Sequence, residues 1–125
     1  MNERYMILIC PEGYSRLIPC DDGDTCTLRT MQTLVDGPIE VTESHLGPCW
    51  AREPVDGIRL IVNEEGKLRG LPLNRKATEL YKYGSRDALV GAVLLAAVRG
   101  EELIGFSIHV CRTISDFWNL EMMEG

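Results

Sequence analysis

The sequence predicts one α+β domain over residues 1–125, with a mixed or mostly antiparallel sheet and two or three helices packed on one face. Segments rich in β-forming residues outnumber segments with helical periodicity, and two pairs of apolar runs are joined by short turn sequences. A third observation is the run ALVGAVLLAAV, which is typical of a central strand covered on both sides. The chain has 125 residues, 45% of them hydrophobic and 26% charged, which suits a single core.

The first half of the chain opens with two runs of β-forming residues, YMILIC and YSRLIP, separated by the turn sequence PEG. A helix follows, for which Asp24 or Thr25 is the predicted N-cap. Gly37 is predicted to end this helix, and Pro38 blocks its extension. The predicted elements are strands over residues 5–10 and 14–19, a helix over 27–36 and a strand over 39–43.

The second half contains LIVNEEGKLRGLPLNR, in which two apolar runs flank the turn sequence NEEG. This pattern predicts a β-hairpin in which Gly66 has a positive φ and the return strand contains Leu68 and Leu71. The tail beyond residue 106 fits both a strand and a helix, and its apolar spacing favours a helix. The predicted elements are a strand over 58–62, a short helix within 73–83, the central strand over 88–98, its partner over 103–106 and a terminal helix over roughly 112–123.

The formal net charge of −6 is unevenly distributed along the chain. Residues 51–100 hold nine bases and six acids, whereas acids outnumber bases on both flanks of this basic island. An acidic chain lacks the surplus of lysine and arginine that duplex nucleic acid requires, but a local basic site can hold a small anionic ligand. No apolar run is long enough to span a bilayer and no export signal is recognisable, so a cytoplasmic protein without membrane contact is predicted.

Five cysteines in an unpatterned arrangement argue against a disulfide framework. A zinc site is the alternative use of these side chains, but the C-x5-C and H-x3-C spacings lack the close pair that makes such motifs specific. The favoured interpretation is a set of small free thiols, with no metal and no cofactor. The residues weighed as zinc ligands are Cys20, Cys26, His45 and Cys49.

No catalytic motif is recognisable in the sequence. A nucleophile elbow, a glycine-rich phosphate loop and a dinucleotide fingerprint are all missing from the 125 residues. The adjacent carboxylates Glu64 and Glu65 point apart on a strand and are solvated on a turn, which suits general acid–base chemistry poorly. A non-enzymatic protein is therefore predicted, with an enzyme that uses His109 or Cys111 as an alternative.

The motif NEEGKLRGLPLNR resembles the signature of a small family of uncharacterised domains, catalogued as a domain of unknown function. The segments TLVDGPIEV and DALVGAVLLAAV also resemble this family, so the likeness extends over most of residues 5–106. The loop HLGPCWAREPV and the segment ATELYKYGSRD depart from the family pattern. The resemblance implies an origin in a phage, a mobile element or a gut-type bacterium, and it implies no particular chemistry.

The residues around this motif form the predicted ligand site. Lys and Arg side chains can bind phosphate, and Asn offers a donor and an acceptor to a base or ribose. The alternatives are structural: Asn74 caps a helix, Arg75 pairs with a carboxylate at the sheet edge, and Trp50 fills the edge of the core instead of stacking on a nucleobase. The six predicted ligand-binding residues are Trp50, Asn63, Lys67, Arg69, Asn74 and Arg75.

The predicted function is binding of a small anionic, nucleotide-type ligand. In a phage or mobile element, such a protein would sequester an immune signalling molecule of the host. A homodimer is expected, because one sheet edge of a small domain makes only a shallow cleft. The alternative function is an acidic protein-interaction module that inhibits a host protein and is anchored by Phe117 and Trp118.

Overall fold

The computed structural model describes residues 3–123 and arranges them around one sheet. The strands of this described part are β1 (Tyr5–Ile9), β2 (Tyr14–Pro19), β3 (Ile39–Glu43), β4 (Gly57–Asn63), β5 (Val93–Arg99), β6 (Glu102–Ile104) and β7 (Glu121–Met122). The helices are α1 (Leu28–Val35), α2 (Arg75–Leu80) and α3 (Ile108–Trp118), and a short 3-10 helix spans Pro48–Ala51.

The sheet has the strand order β3-β4-β5-β1-β2-β7. Strand β5 is central: β4 pairs along one of its edges, and β1 and then β6 pair along the other. Every strand pairing is antiparallel except that of β2 with β7, which is parallel. The predicted α+β class and the mixed, mostly antiparallel sheet are therefore confirmed.

Both faces of the sheet are buried, because side chains alternate between two apolar layers. In β5, Val93 and Leu95 belong to one layer and Leu94 and Ala96 to the other. Helices α2 and α3 cover the first layer, whereas α1 covers the second. The helices are thus divided between the two faces instead of lying on one. Two-sided burial also explains why ALVGAVLLAAV is apolar at consecutive positions, although the strand begins at Val93, later than predicted.

The N-cap of helix α1 lies two or three residues after the predicted N-caps, and its C-cap lies one residue before the predicted C-terminal glycine. Thr27 is the N-cap, in place of Asp24 or Thr25, and its hydroxyl accepts a hydrogen bond from the Thr30 amide at 3.2 Å. Asp36 takes the left-handed conformation at the C-terminus, with a φ of 65°. A short polar side chain tolerates this region better than most residues do.

The predicted β-hairpin around NEEG is wrong. Residues 64–70 form consecutive turns, in which the Arg69 amide donates to the Glu65 carbonyl at 3.0 Å and the Leu71 amide donates to the Gly66 carbonyl at 3.0 Å. The physical reason lies in the sheet order, since β4 is already paired with β3 on one edge and with β5 on the other. A return strand therefore has no free edge to join, and Leu68 is 92% exposed.

The positive φ predicted for Gly66 belongs instead to Gly70, whose φ is 66°. Gly66 is buried within the turns, and a β-carbon there would lie 3.0 Å from a methyl group of Val90. Its small size therefore matters for packing, whereas Gly70 supplies the left-handed conformation that leads the chain into Leu71 and Pro72.

The terminal helix is confirmed as an element but starts earlier than predicted, because Ser107 caps it. The Ser107 hydroxyl accepts a hydrogen bond from the Val110 amide at 3.2 Å. The helix ends at Asn119 in the left-handed conformation, and the chain then forms β7 beside β2.

Candidate functional site

Asn74 is completely buried and joins three parts of the fold. Its side-chain oxygen accepts a hydrogen bond from the Ala77 amide at 3.1 Å and so caps α2. Its amide nitrogen donates to the carbonyls of Ile9 at 2.9 Å and Gly91 at 2.8 Å. These contacts use both amide donors and the side-chain oxygen, and they include the capping role weighed as the alternative to ligand binding.

Asn63 is also buried, at the end of β4. Its amide nitrogen donates to the carbonyls of Val35 at 3.0 Å and Asp36 at 2.9 Å, and its oxygen accepts from the Glu65 amide at 2.8 Å. It thereby fastens the C-terminus of α1 to the sheet. Gly37 leaves room for it, because a β-carbon there would lie 2.7 Å from the Asn63 amide nitrogen.

The two basic residues predicted to share a return strand point to different carboxylates. Lys67 forms an ion pair with Asp87, and it lowers the pKa of that carboxyl. Arg69 pairs with Asp36 at 2.9 Å and also donates to the Asp36 carbonyl. Each of these two charges is thus balanced by an acid distant in sequence, so Lys67 and Arg69 do not form a joint positive site.

Arg75 and Trp50 lie on two other elements of the fold, α2 and the 3-10 helix. Arg75 is the exposed first residue of α2, and no carboxylate within residues 3–123 lies at ion-pair distance from it. The Trp50 ring contacts Phe117 edge-on, with ring centroids 5.0 Å apart. The sheet-edge pairing considered for Arg75 is therefore not seen in the described part, and Trp50 packs beside α3.

A groove of about 230 Å³ lies beside the edge strand β3 and brings together only two of the six predicted ligand residues, Asn63 and Lys67. One side is formed by β3, and the floor by the end of β4. The turns after β4 and the segment from Tyr81 to Val90 complete it. The full lining consists of Glu40, Thr42, Val62, Asn63, Glu64, Lys67, Leu68, Tyr81, Asp87, Ala88, Leu89 and Val90.

The charge of this groove is negative. Three carboxylates, those of Glu40, Glu64 and Asp87, face one ammonium, that of Lys67, which is already paired with Asp87. Such a lining attracts cations and opposes a phosphate group. Tyr81 and the apolar side chains of the lining add surface on which the aliphatic stem of a long basic side chain can pack.

The acidic residues of the groove were not among the predicted site residues. The sequence did contain a sign of the groove at β3. Glu40 and Thr42 are alternate residues and so share one face of the strand, and polar side chains on that face indicate that it is not packed into the core. Asp87 carried no such signal, since its position opposite Lys67 depends on contacts between distant segments.

The two residues weighed for catalysis, His109 and Cys111, lie two positions apart on α3, a spacing at which helical side chains do not face each other. The Cys111 thiol is buried in α3, and burial raises its pKa to about 12, so it stays protonated at neutral pH. A His45 ring nitrogen lies 2.7 Å from the Glu79 carbonyl, and the ring contacts Trp118 edge-on. His109 is exposed on α3, and its backbone carbonyl accepts a hydrogen bond from the Thr113 hydroxyl at 3.0 Å.

The three cysteines weighed as zinc ligands do not lie together at one site. Cys20 and Cys26 are neighbours, and a hydrogen bond between their thiols lowers the pKa of Cys26 and raises that of Cys20. Cys49 is exposed in the 3-10 helix. Within residues 3–123, no group of three or more potential ligands is arranged to hold a metal ion.

The architecture defines the class: an open, mixed sheet with helices on both faces and an acidic groove at the β3 edge. The profile of a family described as a domain of unknown function (DUF3846) matches residues 3–118, and the chain belongs to that family. No curated protein and no solved structure matches the chain. No helix among residues 3–123 is long and apolar enough to cross a membrane.

Proposed function

We propose that this protein is a non-enzymatic interaction module that binds a basic segment of a partner protein. The observation that carries the proposal is the charge of the groove, in which Glu40 and Glu64 have no ion-pair partner within residues 3–123. A lysine or arginine of a partner would supply the missing counter-charge. The exposed position of both side chains lets a partner reach them from solvent.

The other groups of the groove suit a long basic side chain. Carboxylates accept strong hydrogen bonds from guanidinium and ammonium groups. Tyr81 adds an aromatic side chain to the lining, and Val62, Leu89 and Val90 add apolar surface for the methylene stem of the partner residue. Individual surface charge pairs contribute little to affinity. We therefore expect the charges of the groove to give specificity and rapid association, and to add less to the tightness of binding.

Charge reversal in the groove tests this function. The double variant Glu40→Lys, Glu64→Lys is compared with a matched control, Glu101→Lys, Glu102→Lys, which makes the same change at exposed positions in the turn after β5 and at the start of β6. The probe is a labelled synthetic peptide that alternates lysine with threonine, and binding is followed by fluorescence anisotropy. A peptide with glutamate in place of lysine controls for non-specific attraction.

We expect the wild type and the control variant to bind the lysine peptide, and the groove variant to lose affinity by about tenfold or more, the scale of one charge-assisted hydrogen bond. Binding should also weaken as salt is added, because screening acts on exposed charges. Equal binding by the two double variants would show that attraction is general to the acidic chain, and the proposal would then be abandoned.

The second candidate is sequestration of a nucleotide-type immune signalling molecule by a phage or mobile-element protein. It is favoured by one observation, that Asn63 and Lys67 line the groove together. Incubation with a nucleotide panel, denaturation and mass spectrometry of released compounds tests it. The groove variant separates the candidates, because charge reversal should strengthen nucleotide binding while it weakens peptide binding.

A cytoplasmic location and a homodimer are part of the same proposal. All five cysteines are free thiols, which matches a reducing compartment. A homodimer predicts an apparent mass near twice 14.0 kDa in solution. Light scattering on the purified chain gives that mass directly.

A further inference from the structure

Strand β3 has one edge that no other strand occupies along its first residues. It is the terminal strand of the sheet, and its only strand partner within residues 3–123 is β4. The Ser44 amide donates to the Ile58 carbonyl in β4 at 3.4 Å, so the backbone groups of Thr42 and Glu40 also face β4 by the alternation of an antiparallel ladder. The backbone N–H and C=O of Ile39, Val41 and Glu43 consequently face outward.

At the C-terminal end of β3, this outward edge already forms backbone hydrogen bonds with another segment of the chain. The Lys82 amide donates to the Glu43 carbonyl at 3.0 Å, and the His45 amide donates to the Leu80 carbonyl at 3.0 Å. An isolated antiparallel bridge joins Ser44 to Tyr81 between them. The chain then turns away through Gly84, and the edge at Ile39 and Val41 continues without such a partner in the described residues.

This remaining edge is accessible from solvent. The Val41 side chain is 46% exposed, and Glu40 is exposed on the opposite face of the strand. The groove opens on the face that carries Glu40 and Thr42. A strand placed against Val41 would therefore direct every second side chain to the side of the sheet on which the carboxylates lie.

We propose that the basic partner segment binds as an added β-strand along residues 39–42 of β3, with alternate basic side chains directed into the acidic groove. This inference rests on the proposed function and names its mode of recognition. Backbone hydrogen bonds to Val41 supply affinity that does not depend on sequence, and the groove selects lysine or arginine at every second position. The segment is thus extended and alternating rather than helical.

The charge of β3 favours a basic partner segment over a second copy of the chain at this edge. Pairing β3 with the β3 of another copy would place Glu40 of both copies on one face, and like charges on neighbouring strands repel each other. A strand that carries lysine or arginine at those positions instead forms cross-strand pairs of opposite charge. A β3-mediated dimer is accordingly an outcome that the experiment below can reveal.

The first experiment places proline at the open edge. Because the Val41 N–H faces outward, Val41→Pro removes a donor for the added strand without breaking the ladder to β4, whereas Val41→Thr is the matched control. Circular dichroism establishes that both variants fold. We expect Val41→Pro to bind the lysine–threonine peptide about tenfold more weakly, the upper scale for the loss of one backbone hydrogen bond, and Val41→Thr to bind like the wild type.

The second experiment changes the peptide and leaves the protein intact. Two peptides are compared, one N-methylated at every lysine and the other at every threonine. In an added strand, one of these sets of N–H groups faces β3 and the other faces solvent. We therefore expect only one methylated peptide to lose binding, and a loss by neither would overturn strand addition even if Val41→Pro proved unstable.

The failures of the two proposals are distinguishable. Loss of binding in Glu40→Lys, Glu64→Lys together with full binding by Val41→Pro and by both methylated peptides would leave a basic-segment module without strand addition. No binding of the lysine peptide by the wild type would remove both proposals. A doubled mass in the wild type that Val41→Pro abolishes would assign the edge to a second copy and overturn the inference.

Discussion

At the scale of single residues, two buried asparagines hold together segments that are distant in sequence. Asn63 joins β4 to the end of α1, and Asn74 joins α2 to the carbonyls of Ile9 and Gly91. Hydrogen bonds to buried carbonyls contribute most when their loss leaves those carbonyls without any partner. Both side chains are therefore assigned to stability, as their hydrogen bonds to backbone carbonyls indicate.

Substitution of Asn74 tests this assignment. Asn74→Ala removes the cap of α2 and two buried donors, so we expect a loss of about 2–4 kcal/mol in the free energy of unfolding. Asn74→Asp keeps the cap acceptor but places a carboxylate oxygen against two carbonyls, and it should also destabilise. Urea unfolding measures both, with Arg75→Ala as the exposed neighbouring control expected to change little. A normal midpoint for Asn74→Ala would contradict the structural role.

At the scale of secondary-structure elements, the occupancy of strand edges determines which local patterns become hairpins. The turn PEG produces the β1–β2 hairpin, because β2 has an edge of β1 to join. The similar pattern around NEEG forms helical turns, because β4 is flanked by β3 and β5. Its apolar Leu68 then projects into solvent at the mouth of the groove.

Leu68 distinguishes the observed turns from the hairpin. Leu68→Lys should leave the free energy of unfolding within about 0.5 kcal/mol of the wild type, since exposed substitutions change stability little. Leu60→Ala, at a completely buried position of β4, should cost about 2–5 kcal/mol. Chemical denaturation of the two variants provides the comparison. A loss of similar size for both would mean that Leu68 is packed, as a return strand requires.

At the scale of the whole molecule, several carboxylates favour the folded state through their charged form. The Thr30 hydroxyl and the Thr27 amide hold the pKa of Asp21 below its usual value. Lys82 does the same for Glu43, as Lys67 does for Asp87. A depressed pKa contributes stability above the pKa of the unfolded chain, and that contribution is lost as the pH falls through the folded value.

The protein should accordingly lose stability on acidification below the usual range of carboxyl pKa values. Asp21→Asn should be less stable than the wild type at neutral pH, because the asparagine lacks the charge that Thr27 and Thr30 stabilise. The difference should shrink at acidic pH, where the wild-type carboxylate is protonated. Thermal unfolding across the pH range measures this, and a difference that stays constant with pH would refute the electrostatic origin.

Local sequence patterns predicted the strands and helices better than they predicted the site. Strands β2 and β3 have the predicted boundaries, since their β-forming runs end at prolines, glycines or acidic turns. The hairpin at NEEG failed because edge occupancy is a property of the whole sheet. The predicted anion site failed to assemble because Lys67 and Arg69 are paired with Asp87 and Asp36, contacts that no local pattern encodes.

The position of β1 next to β5 has a consequence for how the chain is made. Ile7 in β1 pairs with Leu95 in β5, so an early strand must wait for one that leaves the ribosome much later. At ordinary rates of synthesis that delay is roughly 5–20 s, during which one edge of the nascent β1–β2 hairpin stays open. Synthesis of β5, rather than growth of the first half of the chain, therefore sets the earliest moment at which this sheet can form.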